Sequence, residues 1–261
     1  MRRAEGGTER KGGTGRPRGQ GRSGWALLLA LALSGGGCVG DRQGAASRPA
    51  TSENSTSGEA SGGAGARASV PAPPRPRVVI LGTSLTAGLG LDPAAAYPAL
   101  LQRLADSAGV PVEIVNAGLS GETSAGAVRR AGWVLAQPAA LVVLEVGAND
   151  GLRGVDPDST AANLRRLVDT VRSRQPRTAM ALMQMEAPPN LGGSYTRRFH
   201  AVYAEVAKAQ GIPLWPFLLD GVAGDPRYNQ ADGIHPNREG AHRVAATVWR
   251  TMEPALATLS H

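Results

Sequence analysis

The chain has 261 residues, a formal net charge of +7 and a single cysteine, with 42% hydrophobic and 19% charged side chains. One cysteine excludes a disulfide within the chain, and outside the leader no Lys/Arg run with interleaved aromatics points to nucleic acid. The basicity is local: residues 1–37 hold seven positive and two negative charges, so the remainder carries only about +2.

Residues 1–24 are rich in Arg and Gly, and Trp25 to Leu33 form an apolar run followed by Ser34-Gly35-Gly36-Gly37-Cys38. Basic segment, short apolar core and small residues, in that order, predict a secretory signal over 1–37. The run is far short of the roughly 20 residues that span a bilayer. Cys38, just behind it, resembles the lipidated cysteine of bacterial lipoproteins, with Gly37 fitting and Gly35 departing from the usual Leu. The alternative is an incidental thiol. Either way export to the periplasm or cell envelope is expected, with membrane attachment if Cys38 is acylated. Residues 38–75 read as a polar tether, because Ala, Ser, Gly, Thr and Pro make up 25 of the 35 residues from 41 to 75. Such composition buries too little apolar surface to offset its ordering entropy.

From residue 76 to 261 the pattern predicts one α/β domain, large enough for a single core. Short β-rich runs at 77–81, 112–115, 141–146 and 179–183, with a weaker one at 213–215, read as strands of a parallel sheet buried on both faces. Helical periodicity appears in Leu164, Leu167, Val168 and Val171, in Phe199, Val202, Tyr203 and Val206, and in Val244, Ala245, Val248, Trp249 and Met252 behind an Asn237 N-cap. Their aromatic members are assigned to the core. Strand–helix alternation implies right-handed crossovers, with functional groups gathered beyond the carboxyl ends of the strands.

Four stretches carry chemistry-bearing residues. Ser84 follows the first strand in Gly82-Thr83-Ser84-Leu85, where Gly82 permits a tight turn; taken alone, Ser84 reads as a helix N-cap. No Gly-x-Ser-x-Gly elbow is present, which argues against an α/β-hydrolase. Gly121 follows the second strand in Ser120-Gly121-Glu122-Thr123-Ser124 and can present a backbone N–H where a side chain would obstruct. Asn149 follows the third strand in Gly147-Ala148-Asn149-Asp150-Gly151 and offers a side-chain amide; singly, each is also an ordinary glycine-rich turn. Asp232 and His235 share the loop Asp232-Gly233-Ile234-His235-Pro236-Asn237, where Pro236 keeps His235 out of the following helix. That spacing lets a carboxylate fix the imidazole tautomer, although alone it equally fits a polar surface turn. His200 and His242 fall on predicted helices and His261 is terminal; none has an acidic neighbour in a loop of its own. Together the stretches supply a nucleophile, oxyanion donors and an oriented base, the requirements of acyl transfer through serine.

In order and wording these stretches resemble the four blocks of the SGNH hydrolase (GDSL lipase/esterase) superfamily. Over residues 78–250, the chain is similar to its bacterial thioesterase I / lysophospholipase L1 / arylesterase group. The resemblance implies a three-layer α/β/α, flavodoxin-like fold around a five-stranded parallel sheet, with Ser84 as nucleophile, His235 as base and Asp232 as its orienting acid. It also implies an oxyanion hole from the Ser84 and Gly121 N–H groups and the Asn149 side chain. Leu152, Val155, Pro188 and Leu191 would flank an acyl-chain groove. Two departures stand out: Thr83 replaces the Asp of Gly-Asp-Ser-Leu, and Ala148 replaces the second Gly of Gly-Gly-Asn, where it is expected to narrow the acyl entrance slightly. Neither removes a catalytic atom.

The expected activity is hydrolysis of acyl esters or thioesters by a monomer, without metal or cofactor, since no His-Glu-x-x-His, cysteine cluster or phosphate loop occurs. The alternatives are a carbohydrate O-acetyl esterase, which the superfamily also contains, and a non-catalytic lipid- or glycan-binding protein.

Overall fold

The structure, a computed structural model, describes residues 74–259. The signal segment, Cys38 and all of the tether but its last two residues lie outside them. Five strands, β1 (Arg77–Gly82), β2 (Glu113–Gly118), β3 (Leu141–Glu145), β4 (Ala179–Met183) and β5 (Leu214–Trp215), form one parallel sheet in the order β2-β1-β3-β4-β5.

Sheet order explains strand composition. Central β3 is buried along its whole length, and β1 from Val78 onward, which is why Val78–Leu81 and Leu141–Leu144 are uninterrupted apolar runs. The expectation that every strand is buried on both faces fails for β2. It is an edge strand with no neighbour beyond it, so Glu113 and Asn116 are exposed and Ile114 and Val115 only half-buried.

The helices are α1 (Ser84–Ala87), α2 (Tyr97–Ser107), α3 (Ser124–Val134), α4 (Ala148–Leu152), α5 (Pro157–Arg174), α6 (Gly193–Gln210) and α7 (Arg238–Leu259). The chain steps from β1 outward to β2, then back across β1 to β3 and onward in that direction. Right-handed crossovers therefore send α2 to one face and α3, α5 and α6 to the other. The packing agrees: α2 lies against α7, while α3 and α6 lie against α5. These are the three layers. Leu164, Leu167, Val168 and Val171 of α5 are fully buried, as are Phe199, Val202, Tyr203 and Val206 of α6. Each such side chain contributes about 1.5–3 kcal/mol by leaving water. Asn237 caps α7, its Oδ1 accepting the Gly240 N–H at 3.0 Å.

Reversal of the winding direction places a switch point between β1 and β3, where loops diverge and leave a crevice at the carboxyl edge. Ser84 lies two residues past the end of β1, and Asn149 follows β3.

Candidate active site

Ser84 is the first residue of α1, and Thr83 rather than Ser84 is its N-cap. The need for glycine at position 82 is close approach rather than a turn. A Cβ there would stand 2.0 Å from Thr86 Oγ1 and 2.5 Å from Glu145 Oε2. The Ser84 turn is thus packed directly against the end of β3.

The loop from Gln230 to Asn237 brings the histidine to this serine. His235 Nε2 lies 2.8 Å from Ser84 Oγ, and His235 Nδ1 lies 2.6 Å from Asp232 Oδ2. Asp232 Oδ1 also accepts the N–H groups of Ile234 at 2.9 Å and His235 at 3.0 Å. Partial burial works against ionisation of Asp232, but the His235 ring and these two amides outweigh it and hold the carboxyl below its ordinary range. The loop is fastened by Gln230 N–H to His235 O at 2.8 Å and by Asn237 N–H to Tyr228 O at 2.8 Å. Gln230 Nε2 then donates to Leu89 O at 2.7 Å, tying the histidine loop to the segment behind α1.

The oxyanion candidates are held against the same edge. Leu119 N–H donates to Gly82 O at 2.9 Å, bringing the loop after β2 beside the end of β1. Gly121 has φ +77, and a Cβ there would meet nothing nearer than Arg153 at 3.8 Å. Glycine is therefore required by left-handed backbone and not, as expected from sequence, by obstruction. Asn149 is nearly buried, and its Nδ2 donates to Glu122 O at 3.0 Å. One amide hydrogen so fixed orients the group, which carries a second N–H donor.

Several positioning residues escaped sequence reasoning. Arg130 Nε contacts both Glu122 carboxylate oxygens at 2.8 Å, while its Nη2 donates to Gly82 O and Ala117 O, fastening the ends of β1 and β2 to the Gly121 loop. Arg153 Nη2 donates to Gly121 O at 2.9 Å. Buried Asp150 accepts Ser124 N–H at 2.7 Å and Ser124 Oγ–H at 2.5 Å, linking the second and third stretches. Glu145, fully buried at the end of β3, accepts from Thr83 N–H at 2.9 Å, Thr83 Oγ1 at 3.0 Å and Thr86 Oγ1 at 2.7 Å. Burial without a cation raises its carboxyl to about 7 despite these bonds. The only signal was a charged residue inside the apolar run Leu141–Val146.

The apolar candidates divide. Leu152 is exposed at the end of α4, while Val155, Pro188 and Leu191 are half-buried. Their two loops meet, since a Cβ on Gly154 would lie 3.9 Å from Leu191 Cδ2. A crevice opens directly on Ser84 and His235, yet none of these four residues lines it. His200, which lacks an acidic neighbour in sequence, has one in space: Glu186 Oε1 lies 2.6 Å from its Nδ1. No serine hydroxyl joins that pair among the described residues.

Residues 80–243 match the model of the GDSL-like Lipase/Acylhydrolase family. The chain is 41% identical over 181 residues to Esterase TesA of Pseudomonas aeruginosa, covering 69% of this chain and 89% of the relative. It is 37% identical over 178 residues to Thioesterase 1/protease 1/lysophospholipase L1 of Escherichia coli, covering 68% and 83%. The crystal structure of the psychrotrophic esterase EstA from Pseudoalteromonas superposes with a TM-score of 0.66 at 31% identity, covering 69% of this chain and 98% of that one.

Proposed function

Starting from the chain's membership of the GDSL-like lipase/acylhydrolase family, and hence its activity as an ester hydrolase, we propose that Ser84, His235 and Asp232 form its catalytic triad. The observation that carries this reading is the unbroken hydrogen-bonded chain Asp232–His235–Ser84, at 2.6 and 2.8 Å.

In this mechanism Asp232 accepts the Nδ1–H of His235, so Nε2 is the basic nitrogen facing Ser84. As Ser84 Oγ attacks the acyl carbon, its proton passes to Nε2. The carbonyl oxygen becomes an oxyanion received by the Ser84 and Gly121 N–H groups and the Asn149 amide. Collapse expels the alcohol or thiol, which takes the proton from Nε2, and leaves an acyl group on Ser84. Water, deprotonated by His235, then attacks the acyl carbon; the acid departs and Ser84 regains its proton. An imidazolium arises twice, and the nearby carboxylate of Asp232 stabilises it both times.

The substrates are acyl esters and thioesters, the classes named in the two relatives, with the acyl chain lying between the Leu152–Pro157 loop and the Pro188–Leu191 segment. A methylene buried there contributes about 0.8 kcal/mol, so several should discriminate visibly between chain lengths. The basic leader, apolar run and Cys38 support an exported enzyme of the periplasm or cell envelope, anchored where Cys38 is acylated.

A p-nitrophenyl ester series from acetyl to palmitoyl, with matching thioesters, tests the substrate class. kcat/KM should rise from acetyl to medium chains on both. Strict preference for acetyl, with hexanoyl and octanoyl esters inert, would move the assignment to an O-acetyl esterase.

A further inference from the structure

Trp133 is 80% exposed, although a tryptophan ordinarily buries most of its ring. It sits in the last turn of α3, at the amino edge of the sheet. The parallel register fixes that place: Arg77 pairs with Glu113, Val78 with Leu141 and Leu141 with Ala179, so the strands begin together. α3 precedes β3 and α5 precedes β4, so both helices end where their strands begin. The two ends are fastened to each other. Arg174 lies over Gly132, where a Cβ would stand 2.7 Å from its Nη2. Gln175 Nε2 donates to Leu135 O at 2.9 Å and to Gln137 O at 2.8 Å. Arg129, one turn before Trp133, shares its side of α3, and Arg177 is exposed just beyond α5.

The charge here is one-sided. Neither 129–140 nor 171–178 contains an Asp or Glu. Asp106 and Glu113, which share this edge, are taken by Arg75 at 2.7 Å and Arg77 at 3.5 Å. Arg129, Arg174 and Arg177 pair with no carboxylate among the described residues. The helix dipole accounts for an arginine such as Arg174 in the last turn of α5, but not for Arg129, Arg177 or the bare indole. An exposed indole beside unpaired guanidinium groups fits one kind of surface. Tryptophan settles at the headgroup level of a bilayer, and cations beside it meet anionic phosphates. We propose that Trp133, with Arg129, Arg174 and Arg177, docks the domain, amino edge down, on the anionic surface of a phospholipid bilayer.

Connectivity favours that occupant. Residues 1–73 join the domain at Pro74, three residues before β1 and at this same edge. Between Cys38 and Pro74 stand 35 residues, a reach of at most about 120 Å. An anchor on so long a link does not orient the domain, so orientation falls to the domain's own surface. Each arginine at an anionic surface contributes roughly fivefold in affinity, and three together on the order of a hundredfold. Ser84 and His235 lie at the opposite, carboxyl edge, so docking turns the site away from lipid and toward esters dissolved in water. The biological setting rests on the envelope location proposed above, which the mass of the mature terminus tests separately.

The test reads Trp133 itself, in the full chain, as the emission of wild type minus that of Trp133→Phe. Trp25, Trp215 and Trp249 are common to both proteins and cancel. Vesicles of phosphatidylglycerol and phosphatidylcholine with brominated acyl chains should shift the difference emission to the blue and quench it. Brominated phosphatidylcholine alone should do neither. Arg129→Glu/Arg174→Glu/Arg177→Glu should lose both changes on the anionic vesicles while kcat/KM on p-nitrophenyl butyrate stays at the wild-type value. Wild-type kcat/KM on that ester should be the same with and without vesicles. Trp133 emission that is unquenched on anionic vesicles, whether or not the chain sediments with them, would overturn the docking face. So would equal quenching in the triple variant. A blue shift that grows with protein concentration in the absence of lipid would assign the face to a second copy of the chain instead.

Discussion

Glu145→Gln removes a buried carboxyl beneath the Thr83–Thr86 turn that carries Ser84, while keeping its shape. In the folded chain this group is raised from its ordinary 4.5 to about 7, by burial first and against the pull of bonds from Thr83 and Thr86. At 1.36 kcal/mol for each tenfold change in proton affinity, that amounts to about 3 kcal/mol of native preference for the protonated form. The sign follows from linkage. The folded state holds the proton more tightly than the unfolded state, so this contribution is fully present below pH 4.5 and is lost as pH rises through 7. Gln cannot titrate, so its stability lacks this slope. Whatever Gln changes in the hydrogen bonding is independent of pH and cancels when the two proteins are compared across pH. Urea unfolding of both at pH 5, 6, 7 and 8 reads the effect. With slopes of 1–3 kcal/mol/M, the variant's midpoint should gain on wild type by roughly 1–2 M between pH 5 and pH 8. Parallel midpoints over that range would refute the reasoning, because they would mean that Glu145 is ionised throughout despite its burial.

Two further outcomes are expected. Asn149→Ala should keep KM close to wild type while kcat falls on the order of 10²–10³, the usual effect of deleting one oxyanion donor, as measured by steady-state kinetics on a p-nitrophenyl ester. Mass spectrometry of the mature protein from its host should find a chain beginning at Cys38 and carrying acyl groups; one chain binds a membrane only marginally, so stable anchoring needs more than one. Met1 at the terminus would remove the export proposal, and a bare Cys38 only the lipid.

Much of the fold was legible because its signals are local. Val78–Leu81 and Leu141–Leu144 are apolar throughout, since β1 and β3 have neighbours on both sides and helices on both faces. β2 misled because Val112, Ile114 and Val115 repeat the apolar character of a central strand, while its edge position shows only in Glu113 and Asn116. Ser84, Asp232, His235, Gly121 and Asn149 could be named because each follows a strand or lies in a short polar loop. What could not be read was long-range polar packing. Arg130 reaches Gly82 O across 48 residues, and Glu145 reaches Thr83 across 62. Neither has a local pattern, because the energy of each bond depends on which loops the sheet brings together. The same limit applies in part to Gly82, whose missing side chain leaves room for the nearby Thr86 Oγ1 and for the distant Glu145 carboxylate.

Trapping the acyl-enzyme tests the triad most directly. Rapid mixing with p-nitrophenyl butyrate, acid quench and peptide mass spectrometry should give a burst of about one p-nitrophenol per chain and a butyryl group on Ser84. Asp232→Asn should slow that burst by up to about 10⁴-fold, through loss of the oriented tautomer, without moving the site of acylation. A butyryl group on any other residue, or a Ser84→Ala protein that keeps a tenth of the wild-type rate, would contradict the assignment of Ser84 as nucleophile.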